Sequence, residues 1–222
     1  MLRSAVPGDV GLGVESAIQT CAVADVQLGL ASMKYRITYN APVVLTFAII
    51  AVAVHLLGDG FRDYVVMRPR LETFGDFVAL FSHIAGHGSW EHLLGNFTLI
   101  LLLGPILEER HGSGPLLFMI LATALVTSLL NLVFFKTYVL GASGIVFMFI
   151  LLASTANVRK REIPLTFIAV AVLYLGGELV AAFKNDQVSQ MAHLIGGLTG
   201  AGFGFLGAKG KALKPAKQAP KH

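Results

Sequence analysis

Residues 140–158 read LGASGIVFMFILLASTANV. No charged side chain interrupts this run, and its length approaches the roughly 20 apolar residues that a helix needs to cross a hydrocarbon core. It opens on four small residues, Gly141-Ala142-Ser143-Gly144. Small residues at a helix start allow close backbone approach, and the first amides of a helix lack intrahelical partners. The turn therefore reads in two ways. It is a small-residue contact between membrane helices, or a hydroxyl set beside free backbone amides.

Working outward, five further apolar segments fall near 41–57, 91–107, 115–134, 164–182 and 191–207. Pro115 and Pro164 lie where proline is tolerated, in the first turn of a helix. Asn157 to Glu162 is a polar break. The whole chain is 55% hydrophobic and 14% charged, against about 25% charged in soluble domains. The expected fold is an all-α membrane protein, a six-transmembrane-helix bundle. Gly58 to His83 is too long for a tight turn, and its Phe61, Tyr64, Phe74 and Phe77 predict a first outer loop partly embedded at the interface. The expected organisation is an N-terminal cytoplasmic extension over 1–38, a membrane domain over 39–208 and a basic cytoplasmic tail over 209–222. No secretory signal is read in the first 30 residues, because Gly8, Asp9, Gly11, Gly13 and Glu15 break any apolar core.

Six crossings put both termini on one side. Twelve of the 17 Lys and Arg residues then fall in inner segments, which favours cytoplasmic termini in a cell membrane such as the bacterial inner membrane. The net charge of +4 is spent at helix ends rather than on an aromatic-laced basic face, so nucleic acid is not an expected partner. Cys21 is the one cysteine, which excludes an internal disulfide and a thiol metal cluster. His83 and His87 lack an HExxH helix or cysteine partners, so no metal and no cofactor are expected.

Polar side chains inside a membrane face a cavity or a partner. Counted from the inner basic anchors Arg159, Lys209 and Arg110, Ser143, His193, His92 and Asn96 lie roughly 21 to 27 Å up at 1.5 Å per residue. All four occupy one layer. His92 and Asn96, four apart, share a helix face. A hydroxyl, an imidazole and two side-chain donors are the parts of an acyl-transfer site. Gly196, Gly200 and Gly204 follow His193 within about 60° of it around the helix. That stripe reads equally as a dimerisation face or as a close contact that brings another helix to the imidazole.

Together, HGSWEHLLGN with His87, His92 and Asn96, GASG with Ser143, and AHLIGGLTG with His193, Gly196 and Gly200 resemble the rhomboid family of intramembrane serine proteases. Glu108, Arg110 and Gly112 resemble the family's element after helix 2. The resemblance covers about residues 81–207. It implies Ser143 as nucleophile and His193 as its base, with His92, Asn96 and the Ser143 amide as oxyanion donors. It implies Gly196 and Gly200 at a contact of helices 6 and 4, and structural roles for Glu108 and Arg110. Gly141, Gly144, His87 and Phe147 would support the site. The Trp-Arg pair of many members is replaced here by Val78-Ala79, and the tyrosine four residues after the nucleophile is Phe147.

The resemblance implies single-span or other transmembrane protein substrates within a lipid bilayer as partners, cut near small and helix-breaking residues. Helix 5 and the Lys184–Gln190 loop are candidates for a gate and cap. Asp186 precedes His193 by seven residues and is a weak choice for a third catalytic acid. A rhomboid-like protein that binds transmembrane clients without cutting them is the alternative. A transporter would call for paired intramembrane acids or two similar halves, and neither is present.

Overall fold

The structure, a computed structural model, describes residues 38–155, 163–182 and 187–208, with side chains described over 38–155, 163–176 and 191–208. The expected extension, tail, polar break and Asp186 lie outside the described residues, but for Thr38 at the extension's end.

The described residues are helical, joined by loops. They form α1 (Pro42–Leu56), α2 (Asp59–Val65), α3 (Phe74–Ser82), a short 3₁₀ turn (His83–Ala85), α4 (Trp90–His111) and α5 (Ser113–Leu130). α5 widens into a π turn (Asn131–Phe135), and α6 (Ser143–Ser154), α7 (Leu165–Ala182) and α8 (Gln187–Ala208) follow. α4 and the run Ser113–Phe135 are each long and apolar enough to cross a membrane. α1 and α6 are shorter apolar helices.

α6 is the central element. Ile145, Val146, Met148, Phe149, Ile150, Leu151 and Leu152 are all buried, as expected of a helix that is apolar all round. α4, α5, α7 and α8 pack around it. Outer faces of these helices expose Leu94, Leu102 and Ile106, Phe118 and Leu121, Leu165 and Leu173. An apolar surface of this extent belongs against lipid.

Two boundary devices position the site. α1 opens on Pro42, and its next two amides, those of Val43 and Val44, donate to the Glu108 carboxylate at 3.0 Å each. Ser113 Oγ donates to the same carboxylate at 2.7 Å. Glu108 therefore ties the starts of α1 and α5 to the end of α4, satisfying orphan amides that apolar surroundings would otherwise strand. In the first loop, Thr73 and Asp76 form a capping box at the start of α3. The backbone N–H of Thr73 holds the Asp76 carboxyl below the usual carboxylate range.

Three expectations of extent change. The loop 58–83 contains two helices and a β-bridge residue, Met67, which pairs with Val139. The fourth apolar segment starts its helix at Ser143 rather than near 140, because the non-helical loop 136–142, tied by the bridge at Val139 and turned at Gly141, runs up to it. Gln187 already begins α8, so Gln187–Gln190 is helical rather than loop.

Candidate active site

Ser143 is the first residue of α6 and is half-buried. It lines a cavity of about 330 Å³ with His83, His92, Thr123, Thr127, Tyr138, Gly141 and Ala192 among its walls. Gly141 turns the chain into this position with φ +123°, a conformation that side chains disfavour. A Cβ there would also stand 2.7 Å from His92 Cε1, so the His92 ring lies against the Gly141 backbone beside the cavity.

His193 comes from α8. Its ring stacks on Phe147, centroids 4.3 Å apart and planes within 4°, and both ring nitrogens are buried. Phe147 lies one turn beyond Ser143 on the same face of α6, so the imidazole sits against the opening turns of that helix. Tyr174 of α7 meets Phe147 edge-on, centroids 5.9 Å apart. The close approach of α8 to α6 depends on glycine. A Cβ on Gly196 would collide with the Gly144 carbonyl, and one on Gly200 with the Met148 carbonyl. Ala192, next to His193, faces Gly144 with its carbonyl, 3.1 Å from where a Gly144 Cβ would be.

His87 is fully buried and organises the donors. Asn96 Nδ2 donates to its Nε2 at 3.1 Å, and the Ala142 backbone N–H reaches the same nitrogen at 3.4 Å. A nitrogen that accepts from N–H groups carries no proton, so the ring is neutral with its hydrogen on Nδ1, toward the Ala85 carbonyl. Burial, then the neighbouring His92, pushes the His87 pKa down to about 4. His55 Nδ1 donates to the His87 carbonyl at 3.3 Å while its ring meets Trp90 edge-on. His92 lies 5.0 Å from the His87 ring. His83 donates from Nδ1 to the Ala79 carbonyl, and burial takes its pKa to about 4 as well.

The structure thus brings Ser143, His92, Gly141 and Gly144 to one cavity, joins Asn96 to His87 beside the Ala142 amide, and stacks His193 on Phe147 of α6. Sequence reasoning missed Thr123 and Thr127 on α5. Their spacing of four on an apolar helix is the same signal that singled out His92 and Asn96. Thr123 Oγ1 meets Thr199 Oγ1 of α8 at 3.1 Å. Tyr138, Val139 and Asn131, in and before the loop into Ser143, carried no sequence signal.

Apolar outer faces, a buried central helix and a polar cavity at its start define an integral membrane protein with a chemically equipped interior. The Rhomboid domain model matches residues 75–210, and the chain belongs to the rhomboid family. It is similar to Rhomboid-related protein 1 of Caenorhabditis elegans, 33% identical over 156 residues, 64% of this chain and 42% of that protein. The chain therefore spans under half the length of that relative. It is also similar to Rhomboid protease GlpG of Haemophilus influenzae, 22% identical over 185 residues, 80% of this chain and 96% of that protein.

Proposed function

We propose that this protein is an intramembrane serine endopeptidase that cleaves transmembrane segments of other membrane proteins. The observation that carries the reading is the stacking of Phe147 on His193 one turn beyond Ser143, which holds an imidazole at the helix start that bears the serine. Membership of the rhomboid family and similarity to a named protease support it.

In this reading His193 takes the proton of Ser143 as its Oγ attacks the scissile carbonyl. The tetrahedral oxyanion is met by His92, by Asn96 and by the Ser143 amide, donors fixed before the charge develops. His193 passes its proton to the leaving amine, and the acyl group stays on Ser143 Oγ. Water, deprotonated by His193, then releases the acid and restores the serine. Only an unwound stretch of substrate exposes a carbonyl to such attack, since a membrane helix hides its backbone in internal hydrogen bonds. Helix-breaking and small residues near the cut meet that need.

The proposed topology has six crossings, α1 and α4 through α8, with cytoplasmic termini. α6 has 12 residues and spans about 18 Å, short of a core roughly 30 Å thick. Its start, with Ser143, would then lie below the outer surface at the foot of the loop 136–142.

The test is cleavage of a labelled model transmembrane substrate in liposomes, comparing the intact protein with Ser143→Ala and His193→Ala. Each variant is expected to lose roughly a thousandfold or more in rate. Unchanged cleavage by Ser143→Ala would reject the nucleophile. An intact protein that binds such substrates and never cuts them would instead be the client-binding alternative.

A further inference from the structure

α5 does not end in the usual way. Its last turn widens into the π turn Asn131–Phe135, and the chain then leaves through Lys136 at φ 52°, a left-handed residue with a side chain. Such a conformation is disfavoured away from glycine and persists where its surroundings enforce it. Insertions of this kind in a helix often accompany functional sites. Here the enforcing group is Asn131, 4% exposed. Its backbone carbonyl accepts from Lys136 N at 2.7 Å. Its side-chain Nδ2 donates to the Thr137 carbonyl at 2.7 Å, and its Oδ1 accepts from Thr137 Oγ1 at 2.8 Å. Met67 Sδ lies 3.5 Å from the same Nδ2.

The segment immediately downstream of this clamp lines the candidate site. Val139 exchanges two backbone hydrogen bonds with Met67, Gly141 N donates to the His83 carbonyl, and Ala142 N approaches His87 Nε2. Tyr138, Val139, Leu140 and Gly141 form a wall of the cavity, and Gly141 supports the His92 ring. The segment has no helical ladder of its own, so its height above Ser143 is set by those ties. Most of them are backbone to backbone. The tie at the entrance runs through the Asn131 side chain, to the Thr137 carbonyl and to the Thr137 hydroxyl.

We infer that Asn131 is a positioning residue for the reaction, acting through Thr137 to set segment 136–142 and thereby Gly141, His92 and the Ser143 turn. The inference rests on the protease reading above. Asn131 touches no reacting atom. A rotation at Thr137 is carried through the short segment tied at Val139 and Gly141 to the backbone against which the His92 ring lies.

The experiment uses the full chain in liposomes with a labelled transmembrane substrate, and follows kcat, KM, Ser143 labelling by a fluorophosphonate, and thermal midpoint. Thr137→Val removes the hydroxyl at nearly constant shape, Thr137→Ser keeps it, and Asn131→Asp keeps the acceptor while losing the amide donor. Thr137→Val and Asn131→Asp are expected to lower kcat about tenfold, with KM and the folded fraction little changed, and Thr137→Ser to stay within about twofold of the parent. Labelling of Ser143 should slow in step with kcat. Parental kcat in folded Thr137→Val overturns the inference while leaving the protease reading intact. An equal loss in Thr137→Ser also overturns it, because the hydroxyl is then not the link. If Asn131→Asp does not fold, the two Thr137 variants decide alone. A parent that neither cuts nor labels removes both readings together.

Discussion

Phe147 and His193 lie face to face, 4.3 Å between centroids and 4° between planes. Parallel stacking at that distance fixes the plane of the imidazole against α6. Substituting Phe147 by Ala removes the surface that holds the ring. Cleavage is expected to fall by roughly tenfold to a hundredfold, the scale of a misplaced catalytic group, while Phe147→Tyr keeps the ring and retains activity. Steady-state rates on a labelled substrate check this, and full activity in a folded Phe147→Ala protein would contradict it.

The α6–α8 contact predicts a sharp contrast among glycines. Gly196→Ala and Gly200→Ala each drive a methyl group into a backbone carbonyl that cannot turn away. Overpacking of that kind costs about 1–3 kcal/mol, seen as a lowered thermal midpoint in detergent. Gly202→Ala, where a Cβ meets nothing within 4 Å, is expected to be neutral or slightly stabilising. Equal midpoints for all three would mean that α6 and α8 do not approach this closely.

Glu108 offers a stability test remote from the chemistry. Glu108→Ala strands the amides of Val43 and Val44 and the hydroxyl of Ser113 together. Each buried orphan costs about 1–3 kcal/mol, so the variant is expected to unfold at clearly lower temperature. Glu108→Gln, which keeps one oxygen acceptor, should fall between the two. An unchanged midpoint in Glu108→Ala would show that α1 is held by other means.

Acid is expected to weaken the fold through the buried histidines. Burial holds His83 and His87 down to about 4, against 6.5 for an ordinary histidine. Between those values the unfolded chain binds protons that the folded chain refuses, so stability rises with pH. The contribution is full above 6.5 and is lost as pH falls toward 4. Thermal midpoints across that window should drop toward acid, and a His83→Gln variant should show a shallower slope. A slope identical to the parent's would remove His83 from the account.

Gly141 separates activity from stability. Gly141→Ala places a side chain at φ +123° and 2.7 Å from the His92 ring. The strain is of order 1–3 kcal/mol, yet the displaced His92 should cost more in rate than the midpoint suggests. The check is kcat and folded fraction measured on one preparation. A loss of rate no greater than the loss of folded protein would assign Gly141 a purely structural role.

Much of this was legible in the chain itself. The long apolar blocks, the small-residue turn at Ser143 and the glycine stripe after His193 are local patterns, and each reports on a single helix. What was not legible depended on contacts far apart in sequence. Nothing near Val139 announces a partner at Met67, so the fourth apolar segment reads as helix from Leu140 when its first three residues are non-helical and follow the bridge at Val139. His87 was named as supporting the site, but its partners, Asn96 and the Ala142 amide 9 and 55 residues away, were not legible. Asn131 reads as a polar residue near a helix end until Thr137 is seen to fold back upon it.

Composition and periodicity by themselves determined that the chain is a helical membrane protein, because burying so many apolar residues in one chain of this size has no soluble solution. Spacing alone gave the expectation that Ser143, His92, Asn96 and His193 share one depth, since rise per residue is a constant of the helix. Tertiary structure decided which faces meet, which nitrogen of His87 accepts, and how the loop before Ser143 is held. Those depend on side-chain packing between distant segments, where a shift of one helical turn changes every partner without changing the pattern of any single helix.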